Sequence, residues 1–127
     1  MHYLHAEDIL QIHSVVIDET GGSHGVRDRY AVASLQELPR QQAFGKELYP
    51  TVFLKAAIYI RNIIFSHPFI DGNKRTAMAA GGVFLELNQY RITIAKGGVE
   101  AFALEIIANH LDLEAIAAWL ENNSSKV

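Results

Sequence analysis

The amino-acid sequence predicts an all-α fold, a compact single-domain helical bundle. Three observations carry this. Most segments repeat their apolar residues at helical spacing. One segment, Thr51 to Ser66, is apolar nearly all the way round, as a helix enclosed by others must be. The chain has 127 residues, half of them apolar and one fifth charged, which is enough for one core and not comfortably two.

The elements follow in order. Glu7 to Glu19 carries Ile9, Ile12 and Val16 on one stripe with Leu10 and Ile17 beside it, and Gly21-Gly22 stops the helix. Ser23 to Gly25 reads as loop. Arg27 to Leu38 is a shorter helix ended by Pro39, and Arg40 to Leu48 has little pattern. Pro50 opens the central helix, and Pro68 ends it by forcing the preceding residue out of helical conformation. His67 to Gly72 is a turn. A second core helix runs from about Asn73 to Asn88 through Ala77, Ala80, Phe84 and Leu87. In it, Gly81-Gly82 implies close packing on the central helix, because each interior glycine costs about 0.8–1 kcal/mol. Tyr90 to Ile94 is β-prone and leaves room for one short β element. Val99, Phe102, Ala103, Ile106 and His110 form another stripe. Asp112 is placed to cap a last helix through Leu113, Ile116, Ala117 and Leu120. His13, His110 and Trp119 read as core-edge or packing residues. The domain spans 1–127, with its core at about 4–120 and a polar tail at 122–127.

Composition narrows the function classes. There is no cysteine, which removes disulfides, zinc–cysteine sites and thiol catalysis. The net charge is −3, so no general nucleic-acid binding is expected. The longest run without a charge, Thr76 to Leu85, has 10 residues, against roughly 20 for a membrane span. The N-terminus lacks a basic start followed by an apolar stretch, so no signal peptide is expected. A cytoplasmic location follows as the expectation.

The chemistry concentrates in His67-Pro68-Phe69-Ile70-Asp71-Gly72-Asn73-Lys74-Arg75-Thr76, between the two core helices. Lys74 and Arg75 fall in the first turn of the second helix. Cations there are unfavourable by about 0.3–1 kcal/mol each, unless an anion is bound. Phosphate is the commonest anion at such a place, and Gly72 lets it approach the backbone. The alternative is that both side chains point into water. Asp71 suits magnesium, which is often held by one or two carboxylates plus substrate phosphates; otherwise Asp71 or Asn73 caps the helix. His67 suits a general base, with a reference pKa of about 6.5; otherwise it is an ordinary histidine at a helix C-terminus. A Walker A loop and an EF-hand both fail on spacing.

Together these residues resemble the Fic/Doc family. The family motif H-x-F-x-[D/E]-G-N-G-R-x-x-R appears as His67-Pro68-Phe69-Ile70-Asp71-Gly72-Asn73-Lys74-Arg75-Thr76-Ala77-Met78. Lys74 replaces a glycine and Met78 replaces the final arginine, and both departures look like the death-on-curing (Doc) branch. Gly25-Val26-Arg27-Asp28, Glu47-Leu48-Tyr49-Pro50 and Phe84-Leu85-Glu86-Leu87-Asn88 are similar to that branch as well.

The resemblance implies a helical Fic/Doc fold and a set of roles. His67 is the general base on a target hydroxyl, and Asp71 holds magnesium. Asn73 and Arg75 contact ATP phosphates, with Lys74 beside them. Gly72 belongs to the backbone anion nest, and Phe69 anchors the loop. The implied protein is a toxin of a toxin–antitoxin pair, with ATP and magnesium as co-substrate and cofactor. It transfers the γ-phosphate to a protein hydroxyl, with a threonine of elongation factor Tu as the suggested target, and so arrests translation. AMP transfer is the alternative, because ATP orientation decides which phosphorus faces His67, and Lys74 is placed to set it. A second alternative is an inactive module that only binds an antitoxin. Many Fic proteins restrain themselves with an [S/T]-x-x-x-E-[G/N] helix. No glutamate here has Ser or Thr four residues earlier. The expected restraint is therefore an antitoxin segment binding in trans. Ser23 to about Tyr30 is the expected target-docking flap.

Overall fold

The computed structural model describes residues 1–127, and its helices follow the apolar periodicity of the sequence. Helix α1 is Ala6–Thr20, and the His5 N–H donates to the Asp8 carboxylate at its start, 2.8 Å away. Its buried face is Ile9, His13 and Ile17. Ile12 and Val16, expected on the core stripe, are only half-buried.

Helix α2 is Arg29–Leu35, shorter than the expected Arg27–Leu38. Its start is set by Asp28, which is extended and accepts from the Ala31 N–H. A separate 3-10 turn, Leu38–Arg40, follows, and Pro39 lies inside it rather than merely ending α2. Gln42–Ala43 (β1) and Lys46–Glu47 (β2) then pair antiparallel around Phe44-Gly45, where both residues have positive φ.

Helix α3, Val52–Ser66, is capped by Thr51, whose hydroxyl accepts from the Leu54 N–H at 3.0 Å; Pro50 lies just outside the cap, not in the first turn. Along α3, Ala56, Ala57, Ile58, Tyr59, Ile60, Ile63 and Ile64 are all buried, so it is the centre of the molecule as its composition requires. Two polar groups share that position. The Tyr59 hydroxyl accepts from the Leu4 N–H and pins the N-terminus, and burial pushes the phenol up to about 12. Lys55 is 1% exposed and donates to Glu47, to the Tyr49 carbonyl and to the Pro39 carbonyl. This lysine ties the β1–β2 hairpin to α3 with three hydrogen bonds on its ammonium, the condition for burying a charge.

Helix α4, Asn73–Leu87, packs along α3, although Leu87 itself is exposed. The two mid-helix glycines differ. A Cβ on Gly81 would lie 2.5 Å from Cδ1 of the fully buried Ile60, whereas one on Gly82 would meet only Ile92 at 3.9 Å. The close packing inferred for the pair therefore belongs to Gly81 alone. Gly82→Ala is expected to stabilise the protein by about 0.8–1 kcal/mol from helix propensity. Gly81→Ala is expected to destabilise it by about 1–3 kcal/mol through overpacking. Chemical denaturation of the two variants checks the difference in sign.

The C-terminal part completes the bundle. Strand β3 (Tyr90–Ile92) leads to α5 (Lys96–Asn109) and α6 (Leu113–Asn122). Asp112 caps α6, accepting from the Ala115 N–H at 2.8 Å. Trp119 stacks on Phe102 at 3.9 Å, a packing role as expected, and exposed His110 stacks on Phe65. Residues 122–127 are not a free polar tail. Ser124–Lys126 forms β4, which pairs antiparallel with β3 in the register Tyr90↔Lys126, Arg91↔Ser125, Ile92↔Ser124. The single β element expected from the sequence is thus two small strand pairs beside six helices. No helix is long and apolar enough to cross a membrane.

Candidate functional site at the α3–α4 loop

The loop is built on two backbone constraints. Pro68 disfavours the right-handed helical region for its predecessor, and His67 takes the left-handed region, with φ 49°, as the C-cap of α3. A non-glycine residue there costs on the order of 1–3 kcal/mol, and such strain clusters at functional sites. Phe44, Gln89 and His110 share a positive φ outside the loop, so what sets the candidate base apart is its place in the motif and an exposed imidazole with no hydrogen-bond partner in the protein. At the other end Gly72 is also left-handed, at φ 75°, and a Cβ would come within 2.9 Å of Ile17 of α1. Both its conformation and its neighbour require glycine.

The capping alternatives for Asp71 and Asn73 do not occur. Gly72 occupies the N-cap of α4, which has no side-chain cap, so the first N–H groups of the helix stay available. The Asp71 carboxylate is exposed and turns the other way, accepting from the Ser23 N–H at 3.0 Å. Asn73 is buried, and its amide braces the loop: Oδ1 accepts from the Phe69 N–H at 3.0 Å and Nδ2 donates to the Phe69 carbonyl at 2.9 Å. One donor and the acceptor of the Asn73 amide are thus used on Phe69, and its main-chain N–H is one of the free groups at the start of α4. Phe69 is 1% exposed and belongs to the main core, as an anchor should.

Two further segments hold the loop. Gly25 to Asp28 runs antiparallel to it: Val26 bridges Phe69, the Pro68 carbonyl accepts from the Arg27 and Asp28 N–H groups, and the Ile70 N–H donates to the Gly25 carbonyl. The Arg27 guanidinium donates to the His67 carbonyl at 2.6 Å and to the Ser66 carbonyl. It thereby places a cation on the unpaired carbonyls at the end of α3, where the helix dipole favours one. Helix α1 supplies the other support. His13 donates from Nε2 to the Asp71 carbonyl at 2.8 Å and stacks on Phe69, with centroids 3.8 Å apart and planes 5° apart.

Lys74 and Arg75 are exposed and open onto a cleft of about 420 Å³ between α1, α4 and α5. Val16, Met78, Ala79, Val99, Ala103 and Leu104 give it an apolar lining, and Lys96, Glu19 and Glu100 are its other charged residues. Arg75 donates to the Thr20 hydroxyl at 3.2 Å. His67, Phe69, Asp71, Gly72 and Asn73 do not line this cleft; they form the loop at its edge. The sequence did not mark His13 as part of the site, and it placed Arg27 only in the expected docking flap, not on the carbonyls that end α3. A signal for His13 existed, since it lies four residues from both Ile9 and Ile17, in line with the buried face.

The sequence that builds this loop has counterparts among known proteins. The profile of the Fic/DOC family matches residues 3–85, which include the whole loop. The chain is also similar to a protein of Mycolicibacterium smegmatis (strain ATCC 700084 / mc(2)155) named Toxin Doc, with 33% identity over 120 residues, 93% of this chain and 90% of that one. With a profile match over most of its length and a relative aligned along nearly all of it, the chain belongs to the Fic/DOC family.

Proposed function

We propose that this protein is the toxin of a toxin–antitoxin pair and a phosphotransferase that moves the γ-phosphoryl group of ATP to a hydroxyl side chain of a protein. The observation that carries this reading is one juxtaposition. An exposed, unpartnered imidazole held in a strained conformation shares a short braced loop with an uncapped helix start bearing Lys74 and Arg75. The name of the similar M. smegmatis protein supports the toxin role.

The residues fit the chemistry as follows. The α4 N-terminus presents free N–H groups and two cations, an arrangement that favours phosphate. Arg75 holds only a neutral hydroxyl, a bond readily exchanged for a charge-assisted one to phosphate. The Asp71 carboxylate keeps one oxygen free of the Ser23 bond. One carboxylate plus substrate phosphates is a usual magnesium arrangement, so Asp71 fits that ion. Magnesium bound there supplies charge neutralisation on the phosphates. His67 takes the proton of the target hydroxyl as its oxygen bonds to the γ-phosphorus, while the bond to the bridging oxygen breaks and ADP leaves. Exposed Ile70 and Tyr30, on the loop and next to its antiparallel neighbour, are placed to meet the target chain. Elongation factor Tu is the proposed target. An antitoxin segment restrains the enzyme in trans, and the apolar lining of the cleft suits an amphipathic helix.

Lys74 brings bulk and charge to the place where Fic-type AMP transferases have glycine, and so favours the pose that presents the γ-phosphorus. The test uses purified protein, magnesium and elongation factor Tu, with ATP labelled at the α or the γ phosphorus in parallel. Label on the factor from γ alone is expected, with Lys74→Gly shifting the ratio toward α. Label from α in the unmodified protein would replace the kinase reading with AMP transfer. No label on any protein of a host lysate would leave an antitoxin-binding module.

A further inference from the structure

Helix α1 follows the loop residue by residue. His13 bonds Asp71, Ile17 packs on Gly72, and Thr20 accepts from Arg75. Two of these contacts are ordinary, a packed isoleucine and a surface hydroxyl. His13 is different. It is 4% exposed on the buried face of α1, between Ile9 and Ile17. An aliphatic residue fills such a position without the cost of burying an imidazole. The only hydrogen bond of the ring goes to the Asp71 carbonyl, and its stacking face goes to Phe69. A carbonyl only accepts, so Nε2 carries the proton. Both contacts are to the motif loop, one on each side of Ile70.

Resting on the phosphotransferase reading above, we infer that His13 is a positioning residue of the site. Its Nε2–H bond and its stack on Phe69 fix the peptide that carries the Asp71 carboxylate and leads into Gly72 and the free N–H groups of α4. Without the donor, the Asp71 carbonyl loses its partner in the protein, and the peptide can rotate. The carboxylate offered to a cation and the anion-binding turn then lose their common geometry. Partners that orient a group holding a cation are commonly worth about 10- to 100-fold in affinity.

Two variants separate the donor from the bulk. His13→Phe keeps an aromatic ring on Phe69 and removes the donor. His13→Gln keeps an N–H that reaches the carbonyl. Hydrogen exchange, followed by mass spectrometry on free protein, reads the loop without any nucleotide. Titration calorimetry with magnesium and a non-hydrolysable ATP analogue reads the site. The expected result is faster exchange confined to residues 69–75 in His13→Phe, binding weakened about tenfold, and recovery of both in His13→Gln. Unchanged exchange in His13→Phe would overturn the inference. So would a glutamine variant that behaves like the phenylalanine one, or faster exchange spread over the whole chain. If the unmodified protein binds no magnesium–nucleotide, the proposed function fails, and the exchange result alone decides whether His13 holds the loop.

Discussion

Replacing His67 by alanine is expected to lower the rate of transfer by about 10²–10⁴-fold, the usual contribution of a positioned general base, without loss of the fold. The imidazole is exposed and touches no polar partner, so its removal leaves no cavity and no orphaned group. Arg27 bonds to the main-chain carbonyls of Ser66 and His67, so α3 keeps its end in the variant. A second substitution sharpens the result. His67→Gly relieves the left-handed strain at φ 49° and is expected to leave stability unchanged or raise it by up to about 1 kcal/mol. Activity and stability would then move in opposite directions at one residue, as at sites where function retains strain. Initial rates with thermal unfolding of the same samples check both. A His67→Ala protein with full activity would remove the base from this account, and a His67→Gly protein destabilised by several kcal/mol would remove the strain.

The second large effect is on stability. Phe69→Ala is expected to cost about 3–5 kcal/mol, the range for truncating a buried aromatic residue. That is a large part of the total stability of a domain, about 5–15 kcal/mol. Phe69 is 1% exposed and stacks face to face with His13, and its backbone groups bond to the Asn73 amide. The side chain thus joins the core to the loop, and its loss is expected to reduce activity along with stability. Phe69→Leu retains most of the buried area and is expected to recover the larger part of the stability. Urea denaturation of the two variants provides the comparison.

These effects were legible in the sequence to different degrees, for physical reasons. Helix α3 was clear because its apolar residues go nearly all the way round and Pro68 fixes its end. Asp112 was clear as a cap because it directly precedes an apolar period. The β3–β4 pair was hidden. Ser124, Ser125 and Lys126 carry no strand pattern, and their partners Ile92, Arg91 and Tyr90 lie more than 30 residues earlier in the chain. The early end of α2 was hidden too, because Pro39 marks where a helix cannot continue and not where it stops.

In the site, the spacing from His67 to Arg75 showed which residue types lie together. It did not show that the Asn73 amide turns inward to Phe69, or that Asp71 leaves the helix uncapped. Those choices depend on Gly25 to Asp28 and on α1, which approach from distant parts of the chain. His13 illustrates the same limit. Its place on an apolar stripe is visible in the sequence, and the loop it bonds, 58 residues away, is not.

Peptide mass spectrometry of elongation factor Tu tests the central claim most directly. The factor is recovered from cells producing this protein and from cells producing His67→Ala. A phosphoryl group on a threonine, present with the unmodified protein and absent with the variant, is the result this account predicts. Unmodified factor in growth-arrested cells, or a threonine carrying AMP, would contradict it.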